Sequence, residues 1–225
     1  MMSIKEVIGR LDFFSHLEEE QVTQLTAISS LKKYNAERLL HYEKTQSNTL
    51  LFLVEGLAKA YKIDKHDNEI FLYYLYANEM LSEVTTLQSD TLLSYSNIVF
   101  LEESQVLSVE YEPFKREFLE KGLLCLELAN ETIRQSKQLQ DLVNREFIFD
   151  SVSKVAKMLH ADVAMFNRLK RYDVSLMLHI QPSTLSRVLS RLKRQAIIDI
   201  ERGEVIIVNA KALERIYEGV ALWSE

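Results

Sequence analysis

One cysteine, two prolines and five glycines in 225 residues leave this chain short of the material for disulfides, rigid loops and phosphate cradles. Cys125 alone can form neither an internal disulfide nor a cysteine-ligated cluster. Among Leu123, Leu124, Leu126 and Leu128 it is expected to be buried and inert. So few glycines rule against a Gly-rich phosphate loop, and no nucleophile–base pairing or His/Cys metal spacing stands out. An enzyme and a bound metal are therefore not expected. Both prolines, Pro113 and Pro182, sit where a helix would begin. No apolar run reaches the length of a membrane span, and the opening MMSIKEVIGRLDFF lacks the layout of a signal peptide. A cytoplasmic protein without a membrane partner is the expectation.

What is present suits two modest domains: 47% of residues are apolar and 27% charged. The net charge of −6 is unevenly shared, −9 over residues 1–144 and +3 over 145–225. Between 168 and 194, Arg168, Lys170, Arg171, Arg187, Arg191, Lys193 and Arg194 face one acid, Asp173. A polyanion would meet a basic patch carried on an acidic body.

That patch coincides with two helical patterns broken at His179-Ile180-Gln181. Val174, Met177 and Leu178 turn the first inward; Leu185, Val188, Leu189 and Leu192 turn the second. Ser183, Ser186, Arg187, Ser190, Arg191 and Arg194 occupy the opposite face, the make-up of a helix that enters a DNA major groove. Asp150 reads as the N-cap of a preceding helix, and apolar runs 197–200 and 205–208 across Gly203 as a hairpin. A helix at 210–217 follows. The pieces compose a winged helix-turn-helix.

Upstream, residues 4–30 read as short helices, the last from Glu18 to Ser30. Strands are expected at 38–42, 50–54, 57–63, 69–75, 95–101 and 105–109, with a short helix near 80–88. From Pro113 a helical stretch, broken near Gly122, runs to about 147. Leu119, Leu126, Ile133 and Gln140 lie seven apart, with Ala129, Ser136 and Val143 between them. This heptad seam suits a paired helix; the same helix could instead pack on its own domain.

Several patches, in order, resemble the CRP/FNR superfamily of bacterial transcription regulators over nearly the whole chain. Leu51-Phe-Leu-Val-Glu-Gly56 is similar to its strand–turn–strand signature, and Asn78-Glu-Met-Leu-Ser-Glu83 to its G-D-x-x-G-E segment with both glycines replaced. Residues 149–159 resemble the helix that opens its DNA-binding domain, and Pro182-Ser-Thr-Leu-Ser-Arg187 its R-E-T-V-S-R recognition helix. The resemblance implies an α+β chain: a cyclic-nucleotide-binding-like β-roll (double-stranded β-helix) at 1–112, a dimerisation helix and hinge at 113–148, and a winged helix-turn-helix at 149–225. It implies a homodimer on a palindromic double-stranded operator, with RNA polymerase a further candidate partner. Arg187 is then the leading base contact, with Gln181, Ser183 and Ser186 beside it. Thr184, Arg191, Arg194, Lys193, Lys170 and Arg171 are expected on phosphates. Leu126, Ala129, Ile133 and Val143 would form the dimer interface. Pro182 and Ser183 replace the family's Arg-Glu, so the operator should differ, and His179 replaces the usual turn glycine.

In the cyclic AMP receptor branch a Glu binds ribose and an Arg-Ser pair binds phosphate. Glu83 matches the first, but Ser94 and Tyr95 occupy the second, without a cation. That argues against cyclic AMP. Glu83, Tyr73, Ser94 and Tyr95 remain the effector-pocket candidates. One cysteine excludes the family's iron–sulfur cluster. Haem stays open, with His16, His41, His66 and Met80 as candidate ligands, although lone histidines of this kind are ordinarily surface or turn residues.

Overall fold

The computed structural model describes residues 2–218; Met1 and residues 219–225, the tail of the expected 149–225 domain, lie outside the described residues. The chain divides into two compact units, 1–139 and 140–225, and the division falls inside the long helix.

The first unit opens with α1 (Ile4–Ile8), held by reciprocal Ser3–Glu6 capping, a 3₁₀ turn (Asp12–Phe14) and α2 (Glu19–Ala27). Nine strands follow: β1 (Ser29–Tyr34), β2 (Leu39–His41), β3 (Gln46–Ser47), β4 (Thr49–Glu55), β5 (Leu57–Ile63), β6 (Glu69–Tyr76), β7 (Leu92–Leu93), β8 (Asn97–Phe100) and β9 (Ser104–Glu110). They form sheets ordered β1-β9-β4, β2-β8-β5-β6 and β3-β7, the antiparallel pairs of a roll. All six expected strands are present. The end of the expected Glu18–Ser30 helix is not helical: Ser29 and Ser30 begin β1, which pairs with β9 from Ser29↔Val109 to Tyr34↔Ser104.

The expected helix near 80–88 is also absent. β4 has an open edge, and residues 78–81 bond along it instead. Asn78 N–H donates to Leu53 O (2.7 Å), Leu53 N–H to Glu79 O (2.9 Å) and Leu81 N–H to Leu51 O (2.8 Å). Pairing that covers an edge strand outweighs the weak local helical preference. Leu50, Phe52, Leu107 and Val109 then close over Val7, Ile8, Phe13, Phe14 and Leu25 in one apolar core.

After β9 come α3 (Tyr111–Phe114), a π-helical turn (Lys115–Leu119) and a reversal through Gly122 and Leu124, both at positive φ. α4 (Cys125–Phe147) follows. The reversal removes Leu119 from the expected seam: it is buried in the core with Phe118 and Leu128. Cys125 corrects a second expectation. It is exposed on the outer side of the first turn of α4, whose Leu128 takes the core side, and its thiol donates to Leu119 O at 3.4 Å. The seam itself is open along the helix: Leu126 is 70% exposed, Ile133 54%, Val143 52% and Phe147 84%, and Ala129 is exposed with them.

The second unit contains α5 (Ser151–Ala161), α6 (Val163–Arg168), α7 (Arg171–Met177), α8 (Pro182–Arg194), the hairpin β10 (Ile198–Glu201) and β11 (Glu204–Ile207), and α9 (Ala210–Glu218). Asp150 caps α5, accepting from Ser153 N–H at 2.8 Å. Val155, Leu159, Phe166, Val174, Leu185 and Leu192 meet in its core. No described helix is long and apolar enough to cross a membrane.

Candidate nucleic-acid interface and sensor pocket

α8 starts where Gln181 is extended and Pro182 fills the first helical position, where a missing N–H leaves nothing unpaired. Leu185, Val188, Leu189 and Leu192 are all buried, so rotation of the helix is set by its back. The front is consequently outward: Gln181, Ser183, Ser186, Arg187, Ser190, Arg191, Lys193 and Arg194 are exposed, and Thr184 is half-buried. The Ser186 hydroxyl donates to Pro182 O (3.1 Å) and that of Ser190 to Ser186 O (2.9 Å), leaving their oxygens to accept. Arg187 lies along its own helix, Nε donating to Ser183 O (3.3 Å) and Nη2 to Thr184 Oγ1 (3.4 Å). These are long, exposed contacts that a guanine edge would readily replace.

The phosphate candidates divide in two. Lys170, Arg191 and Arg194 are exposed. Arg191 borders a groove of about 540 Å³ with Asp150, Ser153, Gln195 and Asn209. Arg171, half-buried, and Lys193, exposed like the others, also contact the hairpin. Arg171 Nη2 donates to Gly203 O (2.9 Å) and Nη1 to Phe166 O (3.2 Å), with the guanidinium over the Phe166 ring. Lys193 Nζ sits 2.6 Å from Asp199 Oδ1. Asn167, which the sequence did not single out, completes the grip by donating to Val205 O (2.9 Å) and accepting from Val205 N–H (2.8 Å). Replacing Arg171 by alanine removes two charge-assisted bonds, each worth about 1.5–3 kcal/mol. Amide exchange across 198–207 should quicken at least tenfold while α8 keeps its protection. Unchanged exchange in the hairpin would show that Arg171 does not anchor it.

In the first unit, three of the four effector-pocket candidates come together. The Glu83 carboxylate accepts from the Tyr73 hydroxyl (3.3 Å), the Tyr95 backbone N–H and the Ser96 hydroxyl (3.3 Å). Burial, reinforced by the Glu83 charge, pushes the Tyr73 pKa well up, so it stays a neutral donor. Ser94 does not reach Glu83 among the described contacts; its side chain is buried and its backbone pairs with Lys44 and Thr45. Ser96 was not anticipated. On α4, Arg134 is held by Glu131 (2.8 Å) and Glu79 (3.1 Å), and Gln135 donates to Ser82 O (3.0 Å). The carboxylate that would take a ribose is thus satisfied internally, and the Arg134 guanidinium is engaged by two acids. A cyclic phosphate does not fit these residues.

The four candidate haem ligands sit on different segments of the first unit. His16 precedes α2, His41 lies in β2, His66 in the β5–β6 turn, and Met80 is 1% exposed in the core. Burial pushes His41 down to about 4, leaving a neutral imidazole. Among the described residues no group of three or more His, Cys, Asp or Glu could hold a metal. A separate groove of about 750 Å³ is lined by Val84, Leu87, Cys125, Leu128 and Ile133 among others.

The sequence profile of the cyclic nucleotide-binding domain matches residues 31–121, and that of the Crp-like helix-turn-helix domain matches 153–216. No curated protein sequence matches the chain. Among solved structures, a CooA variant from Carboxydothermus hydrogenoformans is similar at 17% identity, TM-score 0.72, over 92% of this chain and 95% of that one. FixK2 from Bradyrhizobium japonicum is similar at 15% identity, TM-score 0.67, over 84% and 97%. CLP of Xanthomonas campestris, a c-di-GMP responsive global regulator, is similar at 15% identity, TM-score 0.62, over 84% and 99%. At such identities the likeness is one of fold. With both domain profiles matched in this order on a sensor roll and a helix-turn-helix, the chain belongs to the CRP/FNR family of DNA-binding transcription regulators.

Proposed function

We propose that the protein is a cytoplasmic homodimer that reads a palindromic operator with α8, under a sensor roll that does not answer to cyclic AMP. The observation that carries this reading is the outward face of α8, where Arg187, Arg191, Arg194 and four polar neighbours stand opposite a fully buried apolar back. The exposed seam Leu126, Ala129, Ile133 and Val143 supports pairing through α4. Such a pair would place two recognition helices one DNA turn apart. In the sensor, the neutral donors around Glu83 favour a neutral effector, or none, over a cyclic phosphate.

Selection of bound duplexes from a randomised library tests this: a palindrome with half-sites about one DNA turn apart is expected, and recovery of unrelated sequences would refute it. On the selected duplex, Arg187→Ala should cost about 1–3 kcal/mol and relax preference at one position per half-site. Arg194→Ala should weaken selected and random duplexes alike and reduce the salt slope by about one. Equal losses on both duplexes for Arg187→Ala would remove its base-reading role.

A further inference from the structure

His179 stands in the turn ahead of α8 with φ +50°, a left-handed backbone that glycine adopts freely and a side chain resists. The turn closes on the end of α7 through His179 N–H to Leu176 O (3.1 Å) and Ile180 N–H to Ser175 O (3.0 Å). A residue poorly suited to its backbone is retained most readily where its side chain has a task. The imidazole has such a contact. Its Nδ1 lies 2.8 Å from Oε2 of Glu146, in the last turn of α4. The same oxygen is 3.8 Å from Nζ of Lys154, a lysine of α5 only 9% exposed, and Glu146 Oε1 accepts from Arg145 Nε at 3.0 Å. Burial opposes the Glu146 charge. Hydrogen bonds from His179 and Arg145 and the nearby charge of Lys154 outweigh it and hold the carboxylate ionised, below its usual range. His179 Nε2 is buried with no hydrogen-bond partner among the described residues, so the ring's polar engagement is directed at Glu146 alone.

We propose that His179 is a positioning residue for DNA recognition: its imidazole hooks the start of α8 onto Glu146 at the end of α4. A bond between two structured elements fixes the entry direction of the recognition helix in a way that a glycine at the same place could not. Lys154 keeps the anchor charged from a third helix. This inference rests on the DNA-binding reading above, and it names a residue that touches no base.

Three substitutions separate backbone from bond. His179→Gly keeps the positive φ and removes the hook; Glu146→Ala removes the anchor; His179→Asn tolerates the backbone and can still donate. The measurements are affinity for the selected duplex, by fluorescence anisotropy, and melting of the free protein. His179→Gly and Glu146→Ala should each weaken binding about tenfold, or about 1.4 kcal/mol. The double variant should be no weaker than either single one, and His179→Asn should recover part of the loss. His179→Gly should melt no lower than the parent, since it relieves the backbone. Parental affinity in His179→Gly, or losses that multiply in the double variant, would overturn the proposal. Should the parent itself retain no duplex, the DNA-binding reading has failed, and amide exchange over 183–186 decides positioning without DNA. Tenfold faster exchange in both single variants supports the hook, and unchanged exchange overturns it.

Discussion

Replacing Ile133 with glutamate is expected to leave the protein monomeric at micromolar concentration and to lower its affinity for the palindrome by about 10²–10⁴-fold. Ile133 is 54% exposed in a single chain and shares a seam with Leu126, Ala129 and Val143. In a paired helix the same position is enclosed by its counterpart, where two carboxylates would face each other without a partner charge. The protomer's own core contains neither side chain of the exposed seam residues Leu126 and Ile133, so each chain should fold as before. The large effect comes from geometry: one recognition helix alone loses the second half-site, which in the dimer is bound at high effective concentration. Sedimentation velocity and anisotropy on the selected duplex measure both consequences. A variant that still sediments as a dimer would sink the pairing of α4.

The second large effect falls on folding. Gly56→Ala should destabilise the sensor unit by about 3–5 kcal/mol, combining left-handed strain with overpacking. That takes a sizeable share of an ordinary domain's 5–15 kcal/mol margin. Gly56 links β4 to β5 at φ +104°, and an added Cβ would lie 2.1 Å from Ser104 Oγ, 2.7 Å from Ser104 Cβ and 2.8 Å from Ser104 Cα. Ser104 is 4% exposed at the start of β9, the central strand of its sheet, so it has no room to withdraw. The melting transition of the roll should fall by about 10 °C or more. Adding Ser104→Gly should restore only part of this, because the backbone contact at 2.8 Å remains. Melting of the variant within a few degrees of the parent would show that the β4–β5 turn is not so confined.

The two faces of α8 were legible because their information is local. Apolar residues at 185, 188, 189 and 192 specify which side is buried, and Arg187 and Arg194 are outward by subtraction. Asp150 as a cap and the hairpin around Arg202-Gly203, both at positive φ, were legible for the same reason. The strands around Phe52, Ala60 and Val106 announced themselves by composition. β1 did not, since Ser29–Tyr34 is mostly polar and becomes a strand only by pairing with β9, some seventy residues downstream. The resemblance singled out Glu83, but no local pattern pointed to the Ser96 hydroxyl and Tyr95 backbone N–H that satisfy its carboxylate.

The amino-acid sequence alone thus determined the two-part organisation and the outward face of α8, each a matter of composition or short-range period. Tertiary structure decided what each polar side chain answers to. It drew Arg171 and Lys193 to the hairpin, set residues 78–81 along the edge of β4, brought Cys125 to the surface, and joined His179 to Glu146 across 33 positions of chain. A helical period records which face is buried, whereas a hydrogen-bond partner is chosen by distance in space, which no local pattern encodes.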